Sequence, residues 1–79
     1  MTIEIRLFAM FRDFLPPGSK AFSFTRVLEE ETTVEDVLRD LKLPEHTPKI
    51  IMVNGIHAEP DRALRDGDVV SLFPPLFGG

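Results

Sequence analysis

The sequence contains no cysteine, tryptophan or tyrosine. Without cysteine it can form no disulfide, thiolate metal site, redox dithiol or cysteine nucleophile. It also has no apolar run near the ~20 residues that a membrane span requires. At the start of the sequence, charged residues interrupt every short apolar stretch. We therefore expect neither a signal peptide nor a membrane segment. These absences favour a protein of the reducing cytoplasm.

Basic residues are in the minority, with 9 Lys+Arg against 13 Asp+Glu and a net charge of -4. Nucleic-acid binding needs a basic face, so we do not expect a nucleic-acid partner. A chain of 79 residues is one small domain, and such a domain buries only about 60% of its unfolded surface. Because this leaves little room for a deep cleft, we expect a carrier, binding module or subunit rather than an enzyme acting alone.

Signatures of catalytic and metal sites are weak. His46 and His57 fall in different loops, with no further ligand at metal spacing. No glycine run resembles a phosphate loop, and no serine has the context of a nucleophile elbow. The acidic pair Glu35 and Asp36 begins a predicted helix, where acids are expected for structural reasons. We therefore predict no metal site and no bound cofactor.

Alternation of apolar and polar residues predicts most of the strands. The expected strands are residues 2–10, 20–28, 49–53 and 68–73, with a short strand at 56–58. In the first strand Phe8 lies opposite an aliphatic face that runs from Ile3 to Ala9. In the second, Phe22 and Phe24 share the apolar face, and Arg26 interrupts it, so we expect a bulge or the strand's end there. The third is almost wholly apolar, which is typical of a strand covered at least partly on both sides.

One helix is predicted at residues 33–42, with Thr33 as its N-cap and Asp36 three residues later. Its apolar stripe has helical spacing and consists of Val34, Val37, Leu38 and Leu41. Pro44 ends it. Shorter helical turns are expected around Phe11 and Phe14 and at residues 61–64. The pairs Asn54-Gly55 and Asp66-Gly67 predict tight turns.

This order of elements predicts an α+β fold of the β-grasp type. A mixed sheet of four to five strands has one main helix on one face, and the first and last strands lie parallel in the middle. A split βαβ ferredoxin-like fold is the alternative, but it needs a second full helix, and residues 59–67 are too short for one. We expect the domain to span residues 1–73 and an extended C-terminal tail to span residues 74–79.

The tail offers the most specific chemical signal. Pro74 and Pro75 keep it extended, Leu76 and Phe77 are apolar with no core left to join, and a glycine pair ends it. Six residues reach at most ~20 Å. Glycines without Cβ atoms allow a carboxylate to enter a narrow pocket of another protein. Adenylation with ATP turns such an inert carboxylate into an electrophile. A frayed terminus is the alternative interpretation.

The chain resembles the MoaD/ThiS family of ubiquitin-like sulfur carriers, and within it the small subunit of molybdopterin synthase. The resemblance covers essentially the whole chain and rests on the order of several short motifs. These are Leu7-Phe8-Ala9 with Phe11-Arg12-Asp13, Thr33-Val34, Val53-Asn54-Gly55, Leu64 with Asp66-Gly67-Asp68-Val69-Val70, and Phe73-Pro74-Pro75 with Gly78-Gly79.

The resemblance implies that Gly79 bears the sulfur, with Gly78 as its slim neighbour. A ubiquitin-activating-type enzyme uses ATP to adenylate Gly79, and a sulfur donor protein then converts it to a thiocarboxylate. Phe8, His57 and Phe73 match apolar partner-contact positions of the molybdopterin synthase small subunit, although His57 replaces the usual aliphatic residue. Further contacts to these partners, which include the synthase large subunit, are expected from the tail at Pro74, Pro75, Leu76 and Phe77.

The residues themselves support the same surface. If the first and last strands are neighbours, Phe8 and Phe73 lie together on the open face of the sheet. Contiguous exposed apolar patches mark interfaces, whereas packing of the two rings beneath a loop is the alternative.

Two other classes of function stay open at this point. One is a sulfur carrier for thiamin, cysteine or tRNA thiolation, or a ubiquitin-like modifier of proteins. The other is a β-grasp interaction module without tail chemistry, for which the terminal glycines would be dispensable.

Overall fold

The computed structural model describes residues 1–44 and 46–75. This part of the chain forms five strands, one α-helix and one 3₁₀ helix. In chain order they are β1 (Thr2–Leu7), the 3₁₀ helix (Ala9–Phe14), β2 (Ser23–Val27), α1 (Val34–Asp40), β3 (Ile50–Val53), β4 (Ile56–His57) and β5 (Val69–Phe73).

The strands form one mixed sheet in the order β2-β1-β5-β3-β4. β1 and β5 are parallel, with Glu4 beside Val69 and Leu7 beside Leu72. All other pairs are antiparallel. The predicted β-grasp arrangement is confirmed, with the first and last strands adjacent inside the sheet. The ferredoxin-like alternative is wrong, because a single α-helix serves the sheet in the described part of the chain.

The core lies between α1 and one face of the sheet. Alternate residues of β1, β3 and β5 point into it, as period-two patterning requires. The buried apolar side chains are Ile3, Ile5, Leu7, Phe11, Phe24, Val34, Val37, Leu41, Ile51, Val53, Leu64, Val70 and Leu72. Three of the four residues in the predicted helical stripe are among them. The fourth, Leu38, is half-buried and packs against the edge of this cluster.

Helix α1 begins with the predicted capping box. The Thr33 hydroxyl accepts a 3.2 Å hydrogen bond from the backbone N–H of Asp36, and the Asp36 carboxylate accepts one of 3.0 Å from the backbone N–H of Thr33. The bond that the carboxylate accepts from the Thr33 N–H is the largest cause of a pKa of Asp36 below its ordinary value, and the Thr33 side chain and the Arg39 guanidinium lower this pKa further. The helix ends at Asp40, and Leu41 is its C-cap.

The predicted extent of the first strand was wrong. β1 ends at Leu7, and Ala9 adopts a left-handed backbone with φ of 52°, an uncommon conformation for a residue other than glycine. The chain turns there into the predicted helical turn around Phe11 and Phe14, which forms a 3₁₀ helix. Ala9 is therefore exposed instead of lying on the core face, and the fully buried ring of Phe11 fills this end of the core.

The strand's end expected near Arg26 is confirmed, because β2 ends one residue later at Val27, and the alternative of a bulge does not form. Arg26 pairs in regular register with Ile3. Its guanidinium carbon lies 5.2 Å from the centre of the Phe24 ring, and its Nε atom is 3.7 Å from a carboxylate oxygen of Asp40 in α1. A long stem with a charged end can cover an apolar face in this way without distorting the strand.

The turns of the chain agree in part with the sequence prediction. Both tight turns formed, and Gly55 and Gly67 have the positive φ angles that such turns require. The 3₁₀ turn expected at residues 61–64 did not form, because Ala63 makes a β-bridge to Thr33 instead. No helix within residues 1–44 and 46–75 is both long enough and apolar enough to cross a membrane.

Candidate functional site

Two aromatic rings meet at the end of the two central strands. The parallel register places Leu7 beside Leu72, so the next residues, Phe8 and Phe73, also fall side by side. The backbone N–H of Phe8 donates a 3.1 Å hydrogen bond to the carbonyl of Leu72 and fixes this position. The two ring centres are 4.5 Å apart and their planes differ by 5°. Because Leu7 and Leu72 point into the core, both rings lie on the open face of the sheet.

A third ring extends this stack. The centre of the Phe22 ring lies 5.3 Å from that of Phe8, and Phe22 is 41% exposed. The backbone N–H of Leu7 donates a 2.8 Å hydrogen bond to the carbonyl of Phe22, which brings the two segments together. Phe8, Phe22 and Phe73 therefore form an aromatic patch across the open face.

Phe22 was not predicted as a site residue, because the alternation pattern places it on the core face with Phe24. The alternation rule applies only inside a strand, and β2 begins at Ser23. Residue spacing therefore carried no signal for this contact.

An apolar groove of about 420 Å³ adjoins the aromatic patch. Its floor includes Ile50, which pairs with Phe73 across β3 and β5, and Met52, which pairs with His57 across β3 and β4. The full lining consists of Phe8, Ala9, Ile50, Met52, His57, Phe73 and Pro74. The groove thus joins the aromatic patch to the beginning of the C-terminal tail.

Ile50 and Met52 were not predicted as site residues. Alternation within the third strand did carry the signal, since it places these two opposite the buried Ile51 and Val53. The expectation that this strand is partly covered on both faces agrees with its half-buried outer residues.

Four of the predicted partner contacts come together in this groove, namely Phe8, His57, Phe73 and Pro74. Pro75 follows directly and is half-buried. Phe8 and Phe73 are half-buried as well, and each covers part of the other by stacking. The remaining predicted site residues are Leu76, Phe77, Gly78 and Gly79, and they lie outside the described residues.

The open face becomes polar on the side away from the groove. There the Arg6 guanidinium donates a hydrogen bond to the Glu4 carboxylate, so the two charges compensate each other. The groove itself presents aliphatic and aromatic side chains and one imidazole. A lining of this kind is typical of surfaces that contact apolar partners.

Within residues 1–44 and 46–75, no group of three or more His, Asp or Glu side chains is arranged to hold a metal ion. His57 faces the groove and His46 lies in a separate loop.

The fold is that of a ubiquitin-like β-grasp protein, and an aromatic patch lies on its open sheet face. The chain belongs to the ThiS family, whose model matches residues 5–79. Small archaeal modifier protein 3 of Haloferax volcanii is 36% identical to it, with 100% of both chains covered. These relatives are small modifiers and sulfur carriers, so the chain is a protein of that kind and not an enzyme.

Two solved structures support this assignment. Small archaeal modifier protein 1 of H. volcanii is similar with a TM-score of 0.73 and 25% identity, covering 95% of this chain and 98% of that one. A chain in the complex of subunits 1 and 2 of molybdopterin-converting factor from Helicobacter pylori gives a TM-score of 0.65 and 25% identity, with both chains covered completely. The family resemblance inferred from the sequence motifs is thereby confirmed.

Proposed function

We propose that the chain is a sulfur carrier of molybdopterin biosynthesis whose C-terminal Gly79 is adenylated and converted to a thiocarboxylate. The observation that carries the proposal is the position of the Phe8–Phe73 stack at the end of β5. The tail begins immediately after Phe73, so a protein that grips the stack receives the carboxyl terminus beside it. Six residues span at most ~20 Å, which sets the depth of the pocket that Gly79 can reach.

The chemistry proceeds in two steps. The Gly79 carboxylate first attacks the α-phosphate of ATP, and pyrophosphate leaves. A sulfur nucleophile from a donor protein then attacks the carbonyl carbon, and AMP leaves with the electron pair. If the nucleophile is a persulfide, a thiol afterwards reduces the S–S bond and releases the thiocarboxylate. ATP is held by the adenylating enzyme, and the absence of a Cβ atom at Gly78 and Gly79 lets its channel close around the backbone. We place these reactions in the cytoplasm, where ATP and reduced sulfur are present.

The proposed acceptor is the large subunit of molybdopterin synthase. The similar H. pylori chain belongs to a complex of subunits 1 and 2 of molybdopterin-converting factor, which supports an equivalent assembly here. We assign docking to Phe8, Phe73 and the groove wall at Pro74, with Pro75, Leu76 and Phe77 leading Gly79 into the partner. His57 belongs to the same docking surface. Its imidazole can form a hydrogen bond if the partner presents a polar group at this position.

A second candidate is conjugation to other proteins. The 36% identical relative carries the name small archaeal modifier protein 3, which favours a modifier. Here a lysine amine, instead of sulfur, attacks the carbonyl carbon of the adenylate, AMP leaves with the electron pair, and the amine loses a proton to give an isopeptide bond. Carriers for thiamin, cysteine or tRNA thiolation share the thiocarboxylate and differ only in its acceptor. All of these functions depend on Gly79, whereas a plain interaction module does not.

Intact mass spectrometry tests the proposal. The protein is incubated with a family adenylating enzyme, ATP and a sulfur donor, and the expected product has gained the mass of one oxygen-to-sulfur exchange. A chain extended by one residue after Gly79 is the matched control and must stay unmodified with an unchanged melting temperature.

The same experiment separates the candidates. Conversion of a molybdopterin precursor after addition of the synthase large subunit supports the first function, and adducts on lysines of other proteins support the second. No adenylate and no thiocarboxylate with any family adenylating enzyme would falsify both.

A further inference from the structure

Phe22 is the most exposed ring of the aromatic patch. Phe8 and Phe73 are half-buried, whereas Phe22 is 41% exposed. Phe22 takes no part in the buried core, and it lies outside the lining of the apolar groove. Folding therefore leaves much of this ring in water, although burial of apolar surface is favourable. The uncovered area is available to a partner.

The backbone holds Phe22 in a defined position. The Phe22 carbonyl accepts a 2.8 Å hydrogen bond from the N–H of Leu7, which continues the antiparallel pairing one residue beyond the pair of Arg6 and Ser23. The ring stacks on Phe8 with an angle of 29° between the planes. Because the ring is already positioned in the free protein, a partner that contacts it loses little conformational entropy on binding.

Phe22 also lies close to the base of the C-terminal tail. The ring centres are 5.3 Å apart for Phe22 and Phe8 and 4.5 Å apart for Phe8 and Phe73, so Phe22 is at most about 10 Å from Phe73. A stable interface covers about 800 Å² on each partner, which corresponds to a disc with a radius of about 16 Å. A partner whose contact area is centred where the tail leaves the domain therefore covers Phe22 as well.

We propose that Phe22 contacts the adenylating enzyme directly and forms the side of the docking surface farthest from the groove. The inference rests on the proposed function and adds to it a contact residue that the sequence motifs did not include. An enzyme that adenylates the C-terminus must enclose it together with ATP, so it holds the domain at the base of the tail. A sulfur carrier and a modifier share this requirement.

The surface around Phe22 specifies the chemistry of the enzyme's contact region. Phe22, Phe8 and Phe73 form a row of stacked rings. Glu4 and Arg6 precede Phe8 on the same face of β1, and their charges are paired with each other. A charged enzyme group placed on the row of rings would lose water without gaining a polar partner. The contact region of the enzyme is therefore an apolar strip.

Steady-state adenylation kinetics with a family adenylating enzyme test the proposal. Pyrophosphate release is measured with ATP and increasing concentrations of the full-length chain. The variant is Phe22→Ala, and the matched control is Val27→Ala, at an apolar residue that is 82% exposed and lies on the same face of the sheet by alternation. Val27 pairs with Thr2, six residues before Phe8, which is ~20 Å along the strand. The control residue thus lies outside the expected contact area.

The expected result is a change in KM alone. Phe22→Ala raises the KM for the chain by about fivefold or more and leaves kcat unchanged, because the contact is the same before and during the reaction. The melting temperature stays close to that of wild type, since the ring lies outside the core. Val27→Ala changes neither constant. In a Phe8→Ala background, Phe22→Ala raises KM further, because Phe22 makes a contact of its own.

Two outcomes would overturn the assignment and leave the adenylation of Gly79 intact. One is an unchanged KM for Phe22→Ala. The other is an effect of Phe22→Ala that vanishes in the Phe8→Ala background, because Phe22 would then act only by positioning Phe8. A wild-type chain that no family enzyme adenylates is a different result, since it removes the proposed function and this assignment together.

Discussion

The side-chain amide of Asn54 donates a 2.9 Å hydrogen bond to Oδ1 of Asp68, joining the β3–β4 turn to the loop before β5. Each of the two side chains also accepts one hydrogen bond from a backbone N–H. Asn54 Oδ1 accepts a 2.9 Å hydrogen bond from the N–H of Val69, and Asp68 Oδ2 accepts one of 2.8 Å from the N–H of Arg65. Asp68 is only 7% exposed, so this network replaces the water that its carboxylate gives up.

Removal of the Asp68 carboxylate is expected to destabilise the fold. Asp68→Ala leaves the Asn54 amide and the Arg65 N–H without this acceptor, at a cost of about 1–3 kcal/mol in the free energy of unfolding. Asp66→Ala is the matched control, because Asp66 is exposed and water can replace it as acceptor for the Thr2 N–H. Urea unfolding of both variants measures the difference. Equal losses in the free energy of unfolding for the two variants would show that the burial of Asp68 does not increase the cost of removing its carboxylate.

The aromatic patch is expected to contribute more to partner binding than to folding. Buried aromatic residues at interface centres contribute ~2 kcal/mol or more, and ~1.4 kcal/mol is a factor of ten in affinity. Phe8→Ala and Phe73→Ala should each weaken binding to the adenylating enzyme or the synthase large subunit by about tenfold or more. Isothermal titration calorimetry measures the affinities, with Val27→Ala as the control that leaves them unchanged. Unaltered affinity with a large fall in melting temperature would assign both rings to the core.

Two leucines of α1 provide a matched test of the core. Leu41 is 8% exposed, and its truncation to Ala should cost roughly 2–5 kcal/mol. Leu38 also belongs to the predicted stripe, but it is half-buried, so Leu38→Ala should cost less than Leu41→Ala. Thermal melts of the two variants rank them. The reverse order would mean that the helix presents a different face to the sheet.

The capping box gives a pH-dependent contribution of known sign. Its hydrogen bonds from Thr33 lower the pKa of Asp36 in the folded state below the ordinary 3.8. The stabilisation is therefore complete above that ordinary value and disappears as the pH falls through the lowered one. Asp36→Asn should be less stable than wild type near pH 7 and approach it in strongly acid solution. The measurement is the difference in melting temperature between wild type and Asp36→Asn across this pH range. A difference that stays constant down to the lowest pH would contradict the assignment.

The sequence predicted the architecture well because local patterns and global packing agree in this chain. Each part of the fold has its own local pattern. Alternation specifies the strands β1 and β5, the apolar stripe specifies α1, and two glycine pairs specify the tight turns. The β-grasp arrangement lets a single helix cover the apolar faces of these strands. The Phe8–Phe73 contact could be predicted in the same way. β1 and β5 were expected to be adjacent and parallel, and alternation places both rings on the open face of the sheet.

Other features depend on contacts that residue spacing does not encode. The left-handed backbone of Ala9 ends β1 early and sends Phe11 into the core. The position of Phe22 depends on where β2 begins, and strand ends are set by tertiary pairing. Arg26 remains in its strand because its guanidinium lies over the Phe24 ring and close to the Asp40 carboxylate. The contact with Asp40 joins two segments that are distant in the sequence.

The central position of β5 has a mechanical consequence for any protein that handles the tail. Hydrogen bonds hold β5 on both sides, to β1 and to β3. A pull on Pro75 along the strand therefore loads two ladders in shear, and many hydrogen bonds resist it at once. A tail that continued from the edge strand β2 would have a single ladder behind it. A partner can therefore pull the domain against its own surface by the C-terminal residues, and β5 stays paired with both neighbours when the partner lets go.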